Sequence, residues 1–285
     1  MGYAFMRNRL VTFCAPIFLG VVALLSLPNE NVGPFNAINP HLIAKLVLAL
    51  ILINLLGRAA ANYFGHHAFA LTGFLGGFSS STATIAAMGY LARKDKGLLP
   101  ASSTAAVLSN VATYLQLMVI IGLTSLDALM HILEPLLIGG AVATLYAILI
   151  MKNNPPHKDR PQNYASSTNP AWQALIIATG LSLMMVFVAA FNYWYGHKGI
   201  NWSAAFSGFV DAHITAVSIS NLVAQGQLNA DYLRTPVLIA LSTNTLMKLV
   251  VAVMSGGAPF SCRVIPGLVL MISATWTASL LFPIT

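Results

Sequence analysis

Charged residues are scarce in this sequence. They make up 7% of the 285 residues, and only seven are acidic, whereas a typical soluble domain is about one quarter charged. Hydrophobic residues account for 57%. This composition excludes an ordinary soluble domain. Apolar stretches of about 18 or more residues recur, each long enough to cross the hydrocarbon of a bilayer as a helix.

Cysteine is also scarce, and the sequence motifs typical of several functional classes are missing. Cys14 and Cys262 show no CxxC or Cys/His spacing, which argues against a zinc site or a disulfide framework. The net charge of +7 comes from Lys and Arg at the ends of apolar segments, without the aromatic interleaving of a nucleic-acid interface. The sequence contains no phosphate loop or catalytic triad pattern. We therefore expect no enzyme, no cofactor and no nucleic-acid partner.

The apolar stretches predict an all-α polytopic membrane protein. About nine hydrophobic segments are expected, at 10–27, 42–64, 69–92, 99–123, 128–151, 171–195, 202–225, 235–255 and 264–283. Four prolines interrupt residues 152–170, which indicates a linker. The predicted units are an N-terminal anchor helix with a periplasmic loop (1–40), membrane repeat 1 (41–151), a cytoplasmic linker (152–170) and membrane repeat 2 (171–285).

Short motifs recur on the two sides of this linker. Gly77-Phe78 is repeated as Gly208-Phe209, and we call the separation between these two motifs the repeat offset. The same offset relates Gly65-His66 to Gly196-His197 and Thr84 to Thr215, and a slightly longer one relates Leu108-Ser109-Asn110 to Leu241-Ser242-Thr243-Asn244. Matches in the same order at nearly one offset favour a duplicated unit, as in many secondary transporters.

The distribution of Lys and Arg predicts how the two units are oriented, because short cytoplasmic loops collect these residues. If all nine segments crossed the membrane, five basic residues would lie inside and seven outside. If 69–92 and 202–225 are instead re-entrant, ten lie inside and two outside. We therefore predict two inverted repeats, each with a broken or re-entrant helix. The N-terminus and the 152–170 loop would be cytoplasmic and the C-terminus periplasmic.

Both predicted re-entrant segments have glycines followed by Ser, Thr or Asp at their centres. This pattern is typical of a break followed by a new helix start, which can direct N–H groups at a ligand. Close packing of helices through small residues is the alternative interpretation. The candidate binding residues are Ser79, Ser80, Ser81, Thr82, Thr84, Asn110, Asp211, His213, Thr215, Asn244 and Lys248.

Asp211 is the only acidic residue deep inside a hydrophobic segment, and an intramembrane carboxylate is a functional candidate. It would bind a cation, carry a coupling proton, act with His213 as a metal ligand, or form a structural ion pair with Lys248. Helix starts and Lys248 suit an anionic or zwitterionic solute, whereas Asp211 with hydroxyls suits a cation. The sequence leaves these alternatives open.

Three stretches of the sequence resemble a known family. They are residues 27–40, which end in Gly-Pro-Phe-Asn-Ala-Ile-Asn-Pro, residues 71–84, whose serine and threonine run is followed by basic residues near Arg93, and Leu-Ser-Thr-Asn-Thr-Leu-Met-Lys at 241–248. Together they resemble a bacterial membrane domain of unknown function that commonly follows an MgtC/SapB domain, here without the MgtC part. Gln116 stands where the resemblance leads us to expect a basic residue. The resemblance implies a bacterial inner-membrane protein involved in ion or metabolite transport.

We therefore expect a secondary transporter of a small ion or solute, with proton coupling as an option, whose site lies between the two repeats. The alternatives are an ion channel and a regulatory membrane subunit that moves no solute. The expected partners are the lipid bilayer, the small ion or solute and, through small-residue helix faces, a second copy of the chain.

Overall fold

The structure is a computed structural model that describes residues 17–64, 69–153 and 170–282. Within these ranges the chain is α-helical and contains no β-strand. The helices are α1 (Ile17–Ser26), α2 (Pro40–Phe64), α3 (Phe69–Lys94), α4 (Leu99–Thr124), α5 (Leu126–Met130), α6 (Leu133–Asn153), α7 (Pro170–Val210), α8 (Ala212–Ala224) and α9 (Arg234–Leu281).

Four stretches of the described helices are long and apolar enough to cross a membrane. They are Lys96–Thr124, Leu133–Lys152, Ala178–Gly196 and Ala230–Leu281. They lie in α4, in α6, in the first part of α7 and in α9. Several helices of this length and apolar composition are typical of a protein that crosses a bilayer. The chain therefore has the composition and architecture of a helical membrane protein.

Single glycines interrupt the two longest helices. The helical geometry of α9 breaks at Gly257 (φ 67, ψ −173), between the segments predicted at 235–255 and 264–283. That of α7 breaks at Gly196 (φ 58, ψ −148), just after the predicted segment 171–195, and α7 ends at Val210. Glycine adopts the positive φ that each break requires. Segment 128–151 is in turn divided into α5 and α6.

Two predicted regions fall largely outside the described residues. The predicted anchor at 10–27 is described only from Ile17, within α1. Residues 154–169 of the predicted linker are also outside the described ranges, which stop at Asn153 in α6 and resume at Pro170 in α7.

Helix α3 turns back on itself at Ser80, whose backbone is extended (φ −171, ψ 111). A Cβ on Gly73 would overlap the backbone of Ala105, and a Cβ on Gly77 would overlap that of Ser109. The arm 69–79 therefore runs parallel to α4 in backbone contact with it. The arm 81–94 returns to the start of α4. We call residues 69–94 the first hairpin.

A second hairpin follows the bend of α7 at Gly196. The second part of α7 ends at Val210, Asp211 is extended (φ −161, ψ 123), and α8 begins at Ala212. The Thr215 hydroxyl donates to Ser207 Oγ at 2.7 Å, although residues eight apart in a straight helix are separated by about 12 Å. The chain thus turns sharply here too. We call residues 197–224 the second hairpin.

The arms of both hairpins are short. Each contains between 11 and 14 residues, which corresponds to about 16–21 Å of helix. The hydrocarbon core of a bilayer is about 30 Å thick. A single arm is therefore too short to cross it.

Helices α4 and α9 form the support between the two hairpins. Each packs against its own hairpin, and the two helices also contact each other. Tyr114 of α4 and Thr275 of α9 share a hydrogen bond between buried hydroxyls at 3.0 Å. Because both hairpins rest on this pair of helices, their breaks are held on one shared framework.

Candidate functional site

The two breaks have the same local structure. Both Ser80 and Asp211 are extended, and each side chain caps the helix that follows. Ser80 Oγ accepts a hydrogen bond from the Ala83 N–H at 3.2 Å, and Asp211 Oδ1 accepts one from the His213 N–H at 2.6 Å. Side-chain oxygens in this position satisfy N–H groups that have no partner within the helix. The two cap residues are separated by the repeat offset.

A threonine braces each break. Thr84 Oγ1 donates to the Ser80 carbonyl at 2.8 Å, and Thr215 Oγ1 donates to the Asp211 carbonyl at 3.0 Å. Both threonines are buried. They were predicted as binding residues, but neither lines the cavity described next. Their observed contacts stabilise the turns.

A cavity of about 270 Å³ lies between the two breaks. It brings together the middles of two hairpins that are far apart in sequence. Of the predicted binding residues, those that line it are Ser79, Ser80, Ser81, Thr82, Asp211, His213 and Asn244. Apolar side chains complete the walls, among them Leu50, Phe78, Phe209, Val210, Ile214 and Met247.

Asp211 and His213 form the charged part of this cavity. His213 Nδ1 lies 2.9 Å from Asp211 Oδ1, the same oxygen that caps α8. The Asp211 side chain is 40% exposed. His213 Nε2 is buried and has no hydrogen-bond partner among the described residues. Among the described residues no three His, Cys, Asp or Glu side chains are grouped as a metal site, so a metal bound here would have at most these two ligands of those four residue types.

Lys248 and Asn110 lie behind the cavity and do not line it. The Lys248 side chain is 2% exposed, and its Nζ donates to Asn110 Oδ1 at 2.9 Å. Asn110 Nδ2 in turn donates to the Ala106 carbonyl, which orients the amide oxygen towards the ammonium group. The pair joins α4 to α9 at the centre of the molecule.

The alternative of a direct Asp211–Lys248 ion pair is wrong. Among the described residues, His213 is the partner within 4.0 Å of the Asp211 carboxylate, and no lysine lies within that distance. The physical reason is the cap: Asp211 is held at the start of α8 by the N–H that it accepts, while Asn110 supplies an oxygen to Lys248. A hydrogen-bonded amide reduces the cost of burying the ammonium group.

Two residues of α4 support the first break and were not predicted. Gln116 Nε2 donates to the Phe78 carbonyl at 2.9 Å, and Thr113 Oγ1 donates to Ser81 Oγ at 2.9 Å. The break deprives carbonyls such as that of Phe78 of their helical partners. The available signal was the three-residue spacing of Asn110, Thr113 and Gln116, which puts one polar stripe on an otherwise apolar helix.

Together, the fold and the site define a helical membrane protein with two broken helices that meet at one cavity. Residues 31–256 match the family DUF4010, a domain of unknown function, and the chain belongs to that family. The matched range includes both hairpins and every residue that lines the cavity. No curated protein and no solved structure matches the chain. The association with MgtC/SapB domains is not part of the family match and stays a prediction.

Proposed function

We propose that the protein is a secondary transporter of a small solute and that the cavity between the two hairpins is its binding site. The observation that carries this proposal is the pair of equivalent breaks, Ser80 and Asp211, facing one polar cavity. Non-helical backbone at membrane depth is tolerated where it lines such a cavity. Discontinuous helices that meet near the bilayer midplane form the substrate sites of many secondary transporters.

Matching backbone contacts support an internal duplication of the fold. Gly77 packs on Ser109 in the first half of the chain, and Gly208 packs on Ala240 in the second. Gly77 and Gly208 are separated by the repeat offset, and so are Ser109 and Ala240. The two caps and the two bracing threonines are related in the same way. The duplicated unit would comprise a helix, a hairpin and the supporting helices.

Contacts at the helix ends support opposite orientations for the two hairpins. Where the first hairpin opens, Gly89 packs on Ser255, close to the bend of α9. Where the second hairpin opens, Asn221 Nδ2 donates to the Ala37 carbonyl at 3.3 Å. Ala37 lies just before α2, and nearby Lys45 donates to the carbonyl of Leu123 at the end of α4. Helix α4 starts where the first hairpin opens and ends near Leu123. The open end of the second hairpin is therefore near the opposite end of α4.

The proposed topology follows from combining these contacts with the distribution of basic residues. The end that holds Arg93, Lys94 and Arg263 would be cytoplasmic, because short cytoplasmic loops collect Lys and Arg. The N-terminus and the 152–170 loop would lie on that side. The second hairpin and the C-terminus would face the periplasm. The two hairpins would then enter from opposite faces of a bacterial inner membrane and meet at the cavity.

Solute counterflow in liposomes tests the proposal. The purified protein is reconstituted with unlabelled solute inside, and entry of labelled solute is followed for a panel of cations, anions and zwitterions. We expect saturable counterflow of at least one solute. Asp211→Asn should slow it by about tenfold or more, while Asp127→Asn, a matched change at an exposed carboxylate, should leave it intact.

The other outcomes identify the alternatives. Non-saturable flux with single-channel currents would identify an ion channel. Failure of folded protein to move any solute would favour a regulatory subunit that transports nothing. Either result would contradict the proposed function.

A further inference from the structure

The two ends of the cavity differ in charge although their backbones match. The second break carries the Asp211 carboxylate. Its Oδ1 is engaged by His213, and because the side chain is 40% exposed, the carboxylate is accessible from the cavity. Among the described residues, the first break carries no charged side chain at the cavity. There the lining consists of the hydroxyls of Ser79, Ser80, Ser81 and Thr82 and the amide of Gln116.

The uncharged end is suited to an anionic group. Hydroxyls and an amide supply hydrogen-bond donors. The helix arm that starts at Ser81 adds the partial positive charge of its first N–H groups. Thr113 donates a hydrogen bond to Ser81, and Gln116 donates one to the Phe78 carbonyl. Side chains of α4 therefore hold this end of the cavity in place without a ligand.

The charges around the cavity balance. Among the described residues, Asp211 is the only acidic side chain that lines it, and the buried Lys248 lies behind it, bound to Asn110. A lone anion would encounter the carboxylate of Asp211. A lone cation would encounter the field of Lys248 and of the helix start at Ser81. A solute that carries both charges meets a complementary group at each end.

We infer that the site takes a small zwitterion, with its cationic group at Asp211 and its anionic group at the Ser79–Thr82 end. The volume of about 270 Å³ exceeds the space that several water molecules need. The cavity therefore has room for a solute the size of a free amino acid or a comparable betaine. The inference rests on the proposed function and assigns the substrate class that the sequence left open.

Size-matched probes of different charge test this inference. Counterflow is measured for alanine and glycine betaine as zwitterions, propionate as an anion and ethylammonium as a cation. We expect the wild type to exchange at least one zwitterion and to exchange propionate and ethylammonium at least about tenfold more slowly, a ratio that one charge-assisted contact can supply.

Two variants change the charge at one end each. Asp211→Asn should lower zwitterion exchange by about tenfold or more and raise exchange of propionate relative to alanine. Ser80→Asp gives the first break the residue found at the second, and Asp is also a good N-cap, so the hairpin should fold. It should lower zwitterion exchange and raise that of ethylammonium. Size-exclusion chromatography and thermal unfolding check that both variants are folded.

The failure of this inference can be distinguished from failure of the proposed function. Wild-type exchange of propionate or ethylammonium in preference to both zwitterions would overturn the inference and leave the protein a transporter. So would variants that slow all probes equally. If no probe of any charge is exchanged by folded wild-type protein, the proposed function falls, and the inference falls with it.

Discussion

The two hairpins share their backbone and differ in their support. At the first break, Gln116 and Thr113 of α4 bind Phe78 and Ser81 directly. The residues of α9 at the repeat offset from these two are Met247 and Asn244, and both line the cavity. Gln116 also lines the cavity, so the difference lies in the hydrogen bonds. Side chains of α4 bind the first break, whereas among the described residues Met247 and Asn244 make no such bond to the second.

One backbone element thus serves two purposes in this fold. Extended backbone, a side-chain cap and a bracing threonine are sufficient to build the turn at both breaks. The cap residue can then be neutral or charged without changing the turn, because Ser and Asp are both effective N-caps. We expect the tied first hairpin to be the more rigid element and the second, which carries Asp211, to be the one that moves.

The largest effect is expected where the supporting helices of the two hairpins are joined. Asn110→Leu removes the oxygen that binds Lys248 and leaves a buried ammonium group unpaired, which should cost about 3 kcal/mol of stability. The double variant Asn110→Leu/Lys248→Met should recover most of the loss, because no buried charge remains. Thermal unfolding in detergent measures both. A double variant no more stable than Asn110→Leu would contradict this account of the pair.

Overpacking tests whether the two hairpins rest on their supports in the same way. Gly77→Ala and Gly208→Ala each place a Cβ against the backbone of α4 or α9, so each should destabilise by about 1–3 kcal/mol. Gly140→Ala is the matched control, since its Cβ would have only an ordinary contact with Tyr114 at 3.7 Å. It should be neutral or slightly stabilising. Unequal effects at Gly77 and Gly208 would break the proposed equivalence.

Exchange of the cap residue separates the role of the charge from that of the turn. Asp211→Ser gives the second break the cap of the first. It should change stability by less than about 1 kcal/mol, because the capping hydrogen bond is kept, and still slow counterflow by about tenfold or more. Ser80→Ala removes a cap and should cost about 1 kcal/mol. Retained transport in Asp211→Ser would show that the carboxylate is not needed for it.

The smallest effect tests the difference in tethering. Gln116→Leu removes the hydrogen bond to the Phe78 carbonyl and should cost about 1 kcal/mol. It should also raise hydrogen exchange of backbone amides near Ser80. Met247→Leu, at the equivalent place in α9, makes a similar change in shape without removing a polar contact and should alter neither. Similar exchange rates in both variants would remove the case for a more rigid first hairpin.

The sequence predicted the location of the breaks better than their surroundings. Glycines followed by Ser, Thr or Asp, recurring at the repeat offset, were sufficient to place turns near Ser80 and Asp211, because cap residues and glycine act locally. The separate segments predicted at 235–255 and 264–283 lie on either side of the break in α9 at Gly257. Pro259 follows this break, where a proline fits the first turn of the next arm.

Contacts between distant parts of the chain were harder to predict. Opposite charges suggested that Asp211 binds Lys248, but charge alone does not give a distance, and Asn110 supplies the observed oxygen. Gln116 stood out in the sequence only as a departure from an expected basic residue. Its partner is the backbone carbonyl of Phe78, a group whose need for a donor becomes apparent only when the break is seen in three dimensions.

Sided cysteine labelling tests the central claim, two hairpins that open at opposite faces of the membrane, most directly. In a background with Cys14 and Cys262 replaced by serine, single cysteines are placed at Lys96, next to the first hairpin, and at Gln227, next to the second. Both positions are exposed. The account predicts that an impermeant maleimide labels Gln227→Cys from the periplasmic side and Lys96→Cys only from the cytoplasmic side. Labelling of both cysteines from the same side would contradict it.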